Sequence, residues 1–132
     1  MHILIVDDSS TMRRIISKSL ARLGFSHTSE APDGHAALEG LAASPVDLVI
    51  VDWHMPGMSG IELVRTIRST PATGHIPVLM VTANAAPDDI LHAVQAGITG
   101  YVVKPFSGDT LAAKVAAVLR PPQADSPAGP TR

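Results

Sequence analysis

The stretch ILIVDD, residues 3–8, decides the fold, because four consecutive apolar residues lead directly into two aspartates. Three further stretches have the same form: LVIVD at 48–52, VLMVT at 78–82 and YVVKP at 101–105. Short runs rich in Val and Ile, separated by helical patterns, are typical of strands buried on both faces of a parallel sheet. The four runs therefore predict the central strands of such a sheet.

Each run ends in a residue that could handle a phosphoryl group. Ligands of parallel α/β sheets bind beyond the carboxyl ends of the strands, at the point where the strand order reverses. We therefore expect three carboxylates, a hydroxyl and an ammonium to meet at one edge of the sheet, from Asp7, Asp8, Asp52, Thr82 and Lys104.

Helical patterns fill the segments between the runs. In the first, Met12, Ile16, Leu20 and Leu23 recur on one face, and Gly24 ends the helix. Further helices are expected from about residue 34, from about residue 61 to before residue 71, from 87 to 97, and after a cap at Ser107. A weak, polar second strand around 27–31 is expected at a sheet edge.

This alternation of strands and helices predicts an α/β fold. Right-handed crossovers give a doubly wound parallel sheet of five strands in the order 2-1-3-4-5, flavodoxin-like, with five helices.

The composition is that of one compact domain. The chain has 132 residues, a net charge of −2 and no cysteine, and its only basic run is Arg13-Arg14. We therefore do not expect a nucleic-acid role, disulfides or membrane insertion. We expect a cytoplasmic monomer. We expect the domain to cover residues 1–120. Residues 121–132 are rich in proline and predict a disordered tail, either the natural end or the stub of a linker.

The three aspartates predict a metal site. Like charges about 4 Å apart repel by roughly 4 kcal/mol at an effective dielectric near 20, so their burial together makes sense if a dication binds. An all-oxygen donor set favours Mg²⁺, with Mn²⁺ possible. The alternative is that each aspartate only caps a helix or a turn, which is common for one such residue but not for three at matched strand ends.

Asp52 is the predicted nucleophile, because it leaves a central strand while Asp7 and Asp8 can hold the metal against it. A carboxylate that attacks phosphorus forms an acyl phosphate. Lys104, the hydroxyl of Thr82 and nearby backbone N–H groups would neutralise the remaining phosphoryl oxygens.

These residues closely resemble the receiver domain of two-component response regulators, and in particular its single-domain chemotaxis members. The likeness is carried by VDDSSTMRRI (6–15), VDWHMPGMSGIEL (51–63), PVLMVTANA (77–85) and QAGITGYVVKPF (95–106), and it runs from residue 3 to about 119. The resemblance implies that Asp52 is the phosphoacceptor and that Asp7, Asp8 and the backbone carbonyl of His54 join it in binding the metal. It also implies a cis bond before Pro105, and switch roles for three residues, Thr82, Lys104 and Tyr101.

The resemblance further implies a sensor histidine kinase as phosphodonor, and a flagellar motor switch protein and an auxiliary phosphatase as possible partners. A docking face would comprise Ile90, Val94, Tyr101, Val103 and Lys114, although the first two could instead be core residues. The chain departs from well-studied chemotaxis members in two respects. His54 and Asn84 replace Asn and Glu beside the acceptor, which bears on the phosphoryl lifetime, and Ala86-Pro87 replaces two lysines on the docking face.

Three functions are open to a chain of this kind. The first is a phosphorylation-dependent binding switch in chemotaxis, which catalyses only its own phosphorylation and dephosphorylation. The second is a receiver in another phosphorelay, or a phosphate sink. The third is a haloacid-dehalogenase-like phosphatase. That family needs an aspartate two residues after the nucleophile on the first strand, where this chain has Ser9 and Ser10.

Overall fold

The structure of the protein, a computed structural model, describes residues 1–120. Strands and helices alternate throughout: β1 Ile3–Val6, α1 Ser10–Arg22, β2 Thr28–Ala31, α2 Gly34–Ala43, β3 Leu48–Asp52, α3 Gly60–Ser69, β4 Val78–Thr82, α4 Pro87–Ala96, β5 Gly100–Val103 and α5 Gly108–Leu119. All strands are parallel and form one sheet in the order β2-β1-β3-β4-β5. The predicted fold class and strand order are confirmed. The predicted proline-rich tail, residues 121–132, lies outside the described residues.

Alternation along the strands divides the core into two layers, one on each face of the sheet. Leu4 and Val6 of β1 belong to one buried cluster, whereas Ile3 and Ile5 belong to the other. β1, β3 and β4 are buried at every position. This explains their continuous apolar sequence, because helices cover both faces of the sheet.

The register of the central strands positions the polar residues that follow them. Val6 of β1 lies opposite Val51 of β3, so Asp7 and Asp52 come next at equivalent heights on neighbouring strands. On the other side of β3, Asp52 lies opposite Val81 of β4, directly before Thr82. The carboxyl edge of the sheet therefore receives these side chains by backbone geometry alone.

Two boundaries differ from the sequence prediction. β2 is indeed an edge strand with a single buried residue, Ala31, but it begins at Thr28 rather than at residue 27. Leu23 was expected on the apolar face of the first helix, yet its side chain is 40% exposed. The helix ends at Arg22 and the chain turns away through Gly24, whose φ is +93°, so Leu23 leaves the buried face.

Helix ends follow their sequence signals. Ser107 caps α5 as predicted, its hydroxyl accepting from the backbone N–H of Thr110. Pro87 opens α4, and Gly97 ends it in the left-handed conformation. Within residues 1–120, no helix combines the length and apolar character that crossing a bilayer requires.

Candidate functional site

Three aspartates converge at the carboxyl edge of the sheet, as the sequence predicted. One carboxylate oxygen from each of Asp7, Asp8 and Asp52 lies within 4.8 Å of the other two. Asp7 and Asp52 are buried, with 1% and 7% of their surface exposed, while Asp8 is exposed to solvent. The cluster therefore has a closed, protein-facing side and an open side that solvent or a ligand can reach.

Asp7 is the most constrained of the three acids. Its Oδ1 accepts a hydrogen bond from the backbone N–H of Ser9 at 2.8 Å. Its buried Oδ2 accepts no hydrogen bond from the described residues. Burial raises the pKa of Asp7 above its ordinary value, and the charges of Asp52 and Asp8 add to this, although the Ser9 bond and Lys104 oppose it. A buried carboxylate oxygen without a partner is costly, and a cation would remove that cost.

Lys104 supplies one positive charge to the acids. Its Nζ donates to Oδ1 of Asp52 at 3.2 Å and lies 3.8 Å from Oδ2 of Asp7, an ion-pair distance but no hydrogen bond. The backbone N–H of Lys104 bonds the carbonyl of Thr82 at 2.8 Å, and the bond to Pro105 is cis, which confirms the expectation from the resemblance.

The donor set fits a hard divalent cation. Three ionised carboxylates and one ammonium leave two negative charges, which a dication would balance. All donors of the cluster are oxygen atoms, the ligands that Mg²⁺ prefers, and Mg²⁺ usually retains waters and takes only one or two carboxylates directly. The backbone carbonyl of His54 accepts no hydrogen bond within residues 1–120 and thus stays available as the predicted further ligand.

The loop after Asp52 is built on two glycines. Gly57 has a φ of +75°, which favours glycine in a turn, so the expected tight loop is present. Gly60 begins α3, and its N–H bonds the carbonyl of Trp53 at 2.8 Å. A Cβ at residue 60 would meet the backbone of Asp52 and Trp53. The close approach of helix and strand thus fixes the backbone of the predicted phosphoacceptor.

Thr82 is buried at the end of β4, but its hydroxyl does not point to the acids. It donates to the carbonyl of Asn84 at 2.9 Å and accepts from the backbone N–H of Asn84 at 3.1 Å. The predicted phosphoryl-binding role therefore requires the hydroxyl to give up the bond that it donates to the Asn84 carbonyl. Thr82 also lines a crevice of about 140 Å³ with Trp53, His54, Asn84 and Asp89. Both proposed lifetime residues, His54 and Asn84, lie there. Asp89, in the first turn of α4, was not singled out from the sequence.

Three of the five predicted docking residues, Ile90, Val94 and Tyr101, line an apolar groove of about 460 Å³, together with Ala85, Pro87 and Leu91. Val94 is 56% exposed, so its alternative assignment to the core is wrong, whereas Ile90 is half-buried. Leu91 was missed, although its spacing of three from Val94 places both on one helix face. Val103 is 37% exposed at the end of β5.

Lys114 joins this surface through an aromatic contact. Its Nζ lies 5.4 Å from the centroid of the half-buried Tyr101 ring, within the range of a cation–π interaction. The structure thus links the last helix directly to the predicted switch tyrosine.

Comparison with known proteins agrees with this geometry. Residues 3–116 match the family described as "Response regulator receiver domain". The chain is 54% identical over 115 residues to the Chemotaxis protein CheY of Pseudomonas aeruginosa, covering 87% of this chain and 93% of that protein. It is 52% identical over 115 residues to the Chemotaxis protein CheY-3 of Vibrio cholerae, covering 87% and 88% of the two chains.

Solved structures show the same architecture. Vibrio cholerae chemotaxis protein CheY4 superposes with a TM-score of 0.85 at 34% identity, covering 89% of this chain and 98% of that one. The receiver domain of a histidine kinase from Syntrophus aciditrophicus gives a TM-score of 0.82 at 29% identity, covering 97% and 96%. The family match over most of the chain and the shared fold lead to one conclusion: this chain belongs to the response regulator receiver domain family.

Proposed function

We propose that this chain is a phosphorylation-dependent switch in which Asp52 accepts a phosphoryl group from a phosphohistidine of a sensor histidine kinase, with Mg²⁺ or Mn²⁺ bound beside it. One observation carries the proposal. A buried aspartate on the central strand accepts a hydrogen bond from Lys104 at 3.2 Å, next to two further acids. One oxygen of these, Oδ2 of Asp7, is buried and accepts no hydrogen bond from residues 1–120. This arrangement supports phosphoryl transfer, which needs in-line positioning and neutralised phosphoryl oxygens.

The transfer is a substitution at phosphorus. A carboxylate oxygen of Asp52 attacks, a P–O bond forms and the P–N bond to the imidazole breaks. The imidazole leaves with the electron pair of that bond and takes up a proton. When bound, the divalent ion would neutralise charge that develops on the phosphoryl oxygens. Asp7 and Asp8 would hold it, and Lys104 would release Asp52 and contact a phosphoryl oxygen, since its ammonium already lies at the attacking carboxylate.

The switch would begin at Thr82. Its hydroxyl now bonds the backbone of Asn84, and an acyl phosphate on Asp52 would offer it a charged acceptor instead. This exchange would pull on the loop that leads into α4. Tyr101 lines the apolar groove on one side and contacts Lys114 on the other. A movement of the loop would change the position of Tyr101, and the groove that a partner meets would change its shape. Complete switching from 1:99 to 99:1 requires about 5.5 kcal/mol, part of which partner binding would supply.

Chemotaxis is the proposed pathway, because the two relatives described above that share 54% and 52% identity with this chain are named chemotaxis proteins. By this proposal the chain works in the cytoplasm as a binding switch rather than as an enzyme with a separate substrate. Its partners would be a sensor histidine kinase, a flagellar motor switch protein and an auxiliary phosphatase. Another phosphorelay or a phosphate sink would use the same chemistry with different partners.

Labelling with a small-molecule or kinase phosphodonor tests the acceptor. We expect the wild-type chain to incorporate one phosphoryl group in the presence of Mg²⁺ and none in excess chelator. Asp52→Asn should abolish labelling, whereas Asp109→Asn, at an exposed residue of α5, should leave it unchanged. Persistent labelling of Asp52→Asn would place the acceptor elsewhere and contradict the proposal.

Two further measurements separate the alternatives. Capture of partners by the phosphorylated and unphosphorylated chain, with a motor switch protein as the probe, tests the chemotaxis assignment. Repeated turnover of a generic phosphate ester, beyond a single labelling event, would indicate the phosphatase class instead.

A further inference from the structure

Arg13, in the first turns of α1, makes a contact that the proposed chemistry does not use. Its Nη1 donates to the backbone carbonyl of Asp7 at 2.7 Å. Its Nε donates to Oε1 of Glu30, on the edge strand β2, at 2.9 Å. The carbonyl of Asp7 belongs to the peptide unit that joins the first two acids of the cluster, so Arg13 holds that peptide unit from one side.

The opposite side of the same turn is also fixed. The N–H of Asp7 bonds the carbonyl of Ala31 at 3.1 Å, and the N–H of Ser9 bonds the Asp7 carboxylate. Asp8 lies between these anchors. Its exposed carboxylate makes no hydrogen bond or ion pair within residues 1–120. The position of the Asp8 backbone, and with it the starting point of its side chain, is therefore set by these hydrogen bonds. Within residues 1–120, Arg13 supplies the hydrogen bond to the Asp7 carbonyl.

Arginine is an unfavourable residue near the start of a helix, so its presence at the start of α1 indicates another role. The start of a helix carries partial positive charge, and acidic residues stabilise it while basic residues do not. α1 has no acidic residue in its first turn, and Arg13 and Arg14 follow directly. Departures from local preference are expected at functional sites. Arg14 is exposed and makes no hydrogen bond or ion pair within the described chain, so it is a matched control for charge.

We propose that Arg13 is a positioning residue for the divalent cation: by fixing the peptide unit between Asp7 and Asp8, it aims the Asp8 carboxylate at the bound ion. This rests on the cation site of the proposed function. The direction in which cation affinity changes on removal of Arg13 distinguishes positioning from a simple charge effect. Removing a positive charge near a cation site should strengthen cation binding by electrostatics alone. Loss of positioning should weaken it, and residues that orient metal ligands typically contribute about 10–100-fold in affinity.

The test is a Mg²⁺ titration of the full chain, followed by the fluorescence of Trp53, which directly follows Asp52. For Arg13→Ala we expect the Mg²⁺ Kd to rise by at least about tenfold. Arg14→Ala removes the same charge and should keep the Kd within about threefold of wild type, the scale of an exposed charge. Arg13→Lys and Glu30→Gln should raise it less, because one retains the charge and the other retains the arginine.

A second readout needs no metal. In the metal-free ¹⁵N-labelled chain, we expect Arg13→Ala to shift or broaden the amide resonances of Asp8 and Ser9, and Arg14→Ala to leave them in place. Thermal unfolding in chelator, measured alongside, separates positioning from stability. A lowered melting temperature with an unchanged Mg²⁺ Kd would assign Arg13 a structural role only and overturn the proposal. A Mg²⁺ Kd of Arg13→Ala below the wild-type value, which loss of positive charge alone predicts, would overturn it too.

Failure of the proposed function is distinguishable from failure of this inference. A wild-type chain that binds no Mg²⁺ would remove the cation site itself. A wild-type chain that binds Mg²⁺ as tightly as Arg13→Ala and Arg13→Lys would remove only the role of Arg13.

Discussion

The Lys104 ammonium hydrogen bonds Oδ1 of Asp52 at 3.2 Å, at the carboxylate that we propose as the phosphoacceptor. The same Nζ lies 3.8 Å from Oδ2 of Asp7 without a hydrogen bond. One positive charge therefore serves two buried acids, and it satisfies one of them better than the other. A divalent ion bound at the cluster would act on the same carboxylates as the lysine. Single substitutions that change the charge of the site should therefore change both stability and cation binding.

Replacing Lys104 by Met should separate the effect of the lysine from the effect of the divalent ion. We expect the metal-free chain to lose about 2 kcal/mol of stability, because breaking a largely buried ion pair leaves a carboxylate uncompensated, and partial exposure of the lysine reduces the cost below that of a fully buried pair. Mg²⁺ should bind roughly tenfold more tightly, since repulsion between the two cations is removed. Denaturant unfolding in chelator and a Mg²⁺ titration measure the two effects. Weaker Mg²⁺ binding by Lys104→Met would show that the lysine helps to organise the site rather than competing for it.

Replacing Asp7 by Asn should stabilise the metal-free chain. Asn retains an oxygen that can accept from Ser9, while repulsion from Asp52 and Asp8 and the desolvation of a buried charge disappear. We expect a gain of about 1 kcal/mol, or roughly 4 °C in melting temperature for a domain of this size. Asp52→Asn should gain less, because it also loses the hydrogen bond from Lys104.

Saturating Mg²⁺ should reverse the order, because the wild-type chain would then be stabilised by the bound ion and Asp7→Asn much less so. A melting temperature for Asp7→Asn in chelator at or below the wild-type value would contradict the inferred destabilisation by charge repulsion and desolvation at Asp7.

The destabilisation that the Asp7 charge causes should depend on pH. Burial raises the pKa of Asp7 in the folded state above its model-peptide value of 3.8. Between these two values the folded chain binds more protons than the unfolded chain, so the contribution of Asp7 to stability falls as pH rises. The destabilisation of wild type relative to Asp7→Asn should be fully present above the raised pKa and shrink as pH falls through it. Unfolding of both chains from neutral pH down to about pH 4 in chelator measures this difference, and a difference independent of pH would exclude Asp7 as its source.

Most of the fold follows from local sequence patterns. Continuous apolar runs predict the buried strands. The cap residue Ser107 and the first-turn residue Pro87 predict helix starts, because each of these signals acts within a few residues. The convergence of Asp7, Asp8 and Asp52 was predictable too, since a parallel sheet brings strand ends together. Leu23 was misplaced because periodicity does not show where a helix stops.

Contacts that depend on the path of a loop or on the packing of distant elements were not predictable in the same way. The present partner of the Thr82 hydroxyl is the backbone of Asn84, which depends on the path of a loop. The bridge from Arg13 to both Asp7 and Glu30 depends on how α1 packs beside β2. Its one trace in the sequence is a pair of arginines at the start of a helix, where the helix dipole disfavours positive charge.

Two glycines in equivalent positions allow a matched test of how the backbone holds the phosphoacceptor. Gly60 and Gly108 each begin a helix directly after a serine cap. A Cβ at Gly60 would lie 2.9 Å from the Cα of Trp53 and collide with the carbonyl oxygen of Asp52, whereas a Cβ at Gly108 would meet nothing within 4 Å. The first position is closed by backbone atoms of the site, and the second is open.

Gly60→Ala should therefore destabilise the chain by about 2–3 kcal/mol, because backbone atoms must move to admit the methyl group. It should also slow phosphoryl labelling of Asp52 in the fraction that remains folded, since the displaced strand end carries the acceptor. Gly108→Ala should be neutral or up to about 1 kcal/mol stabilising, because alanine is the better helix former. Denaturant unfolding and initial labelling rates at saturating Mg²⁺ measure both effects. Equal stabilities and rates for the two variants would mean that the α3 start can move away from β3 without disturbing Asp52, and that the acceptor is held by its side-chain contact to Lys104 alone.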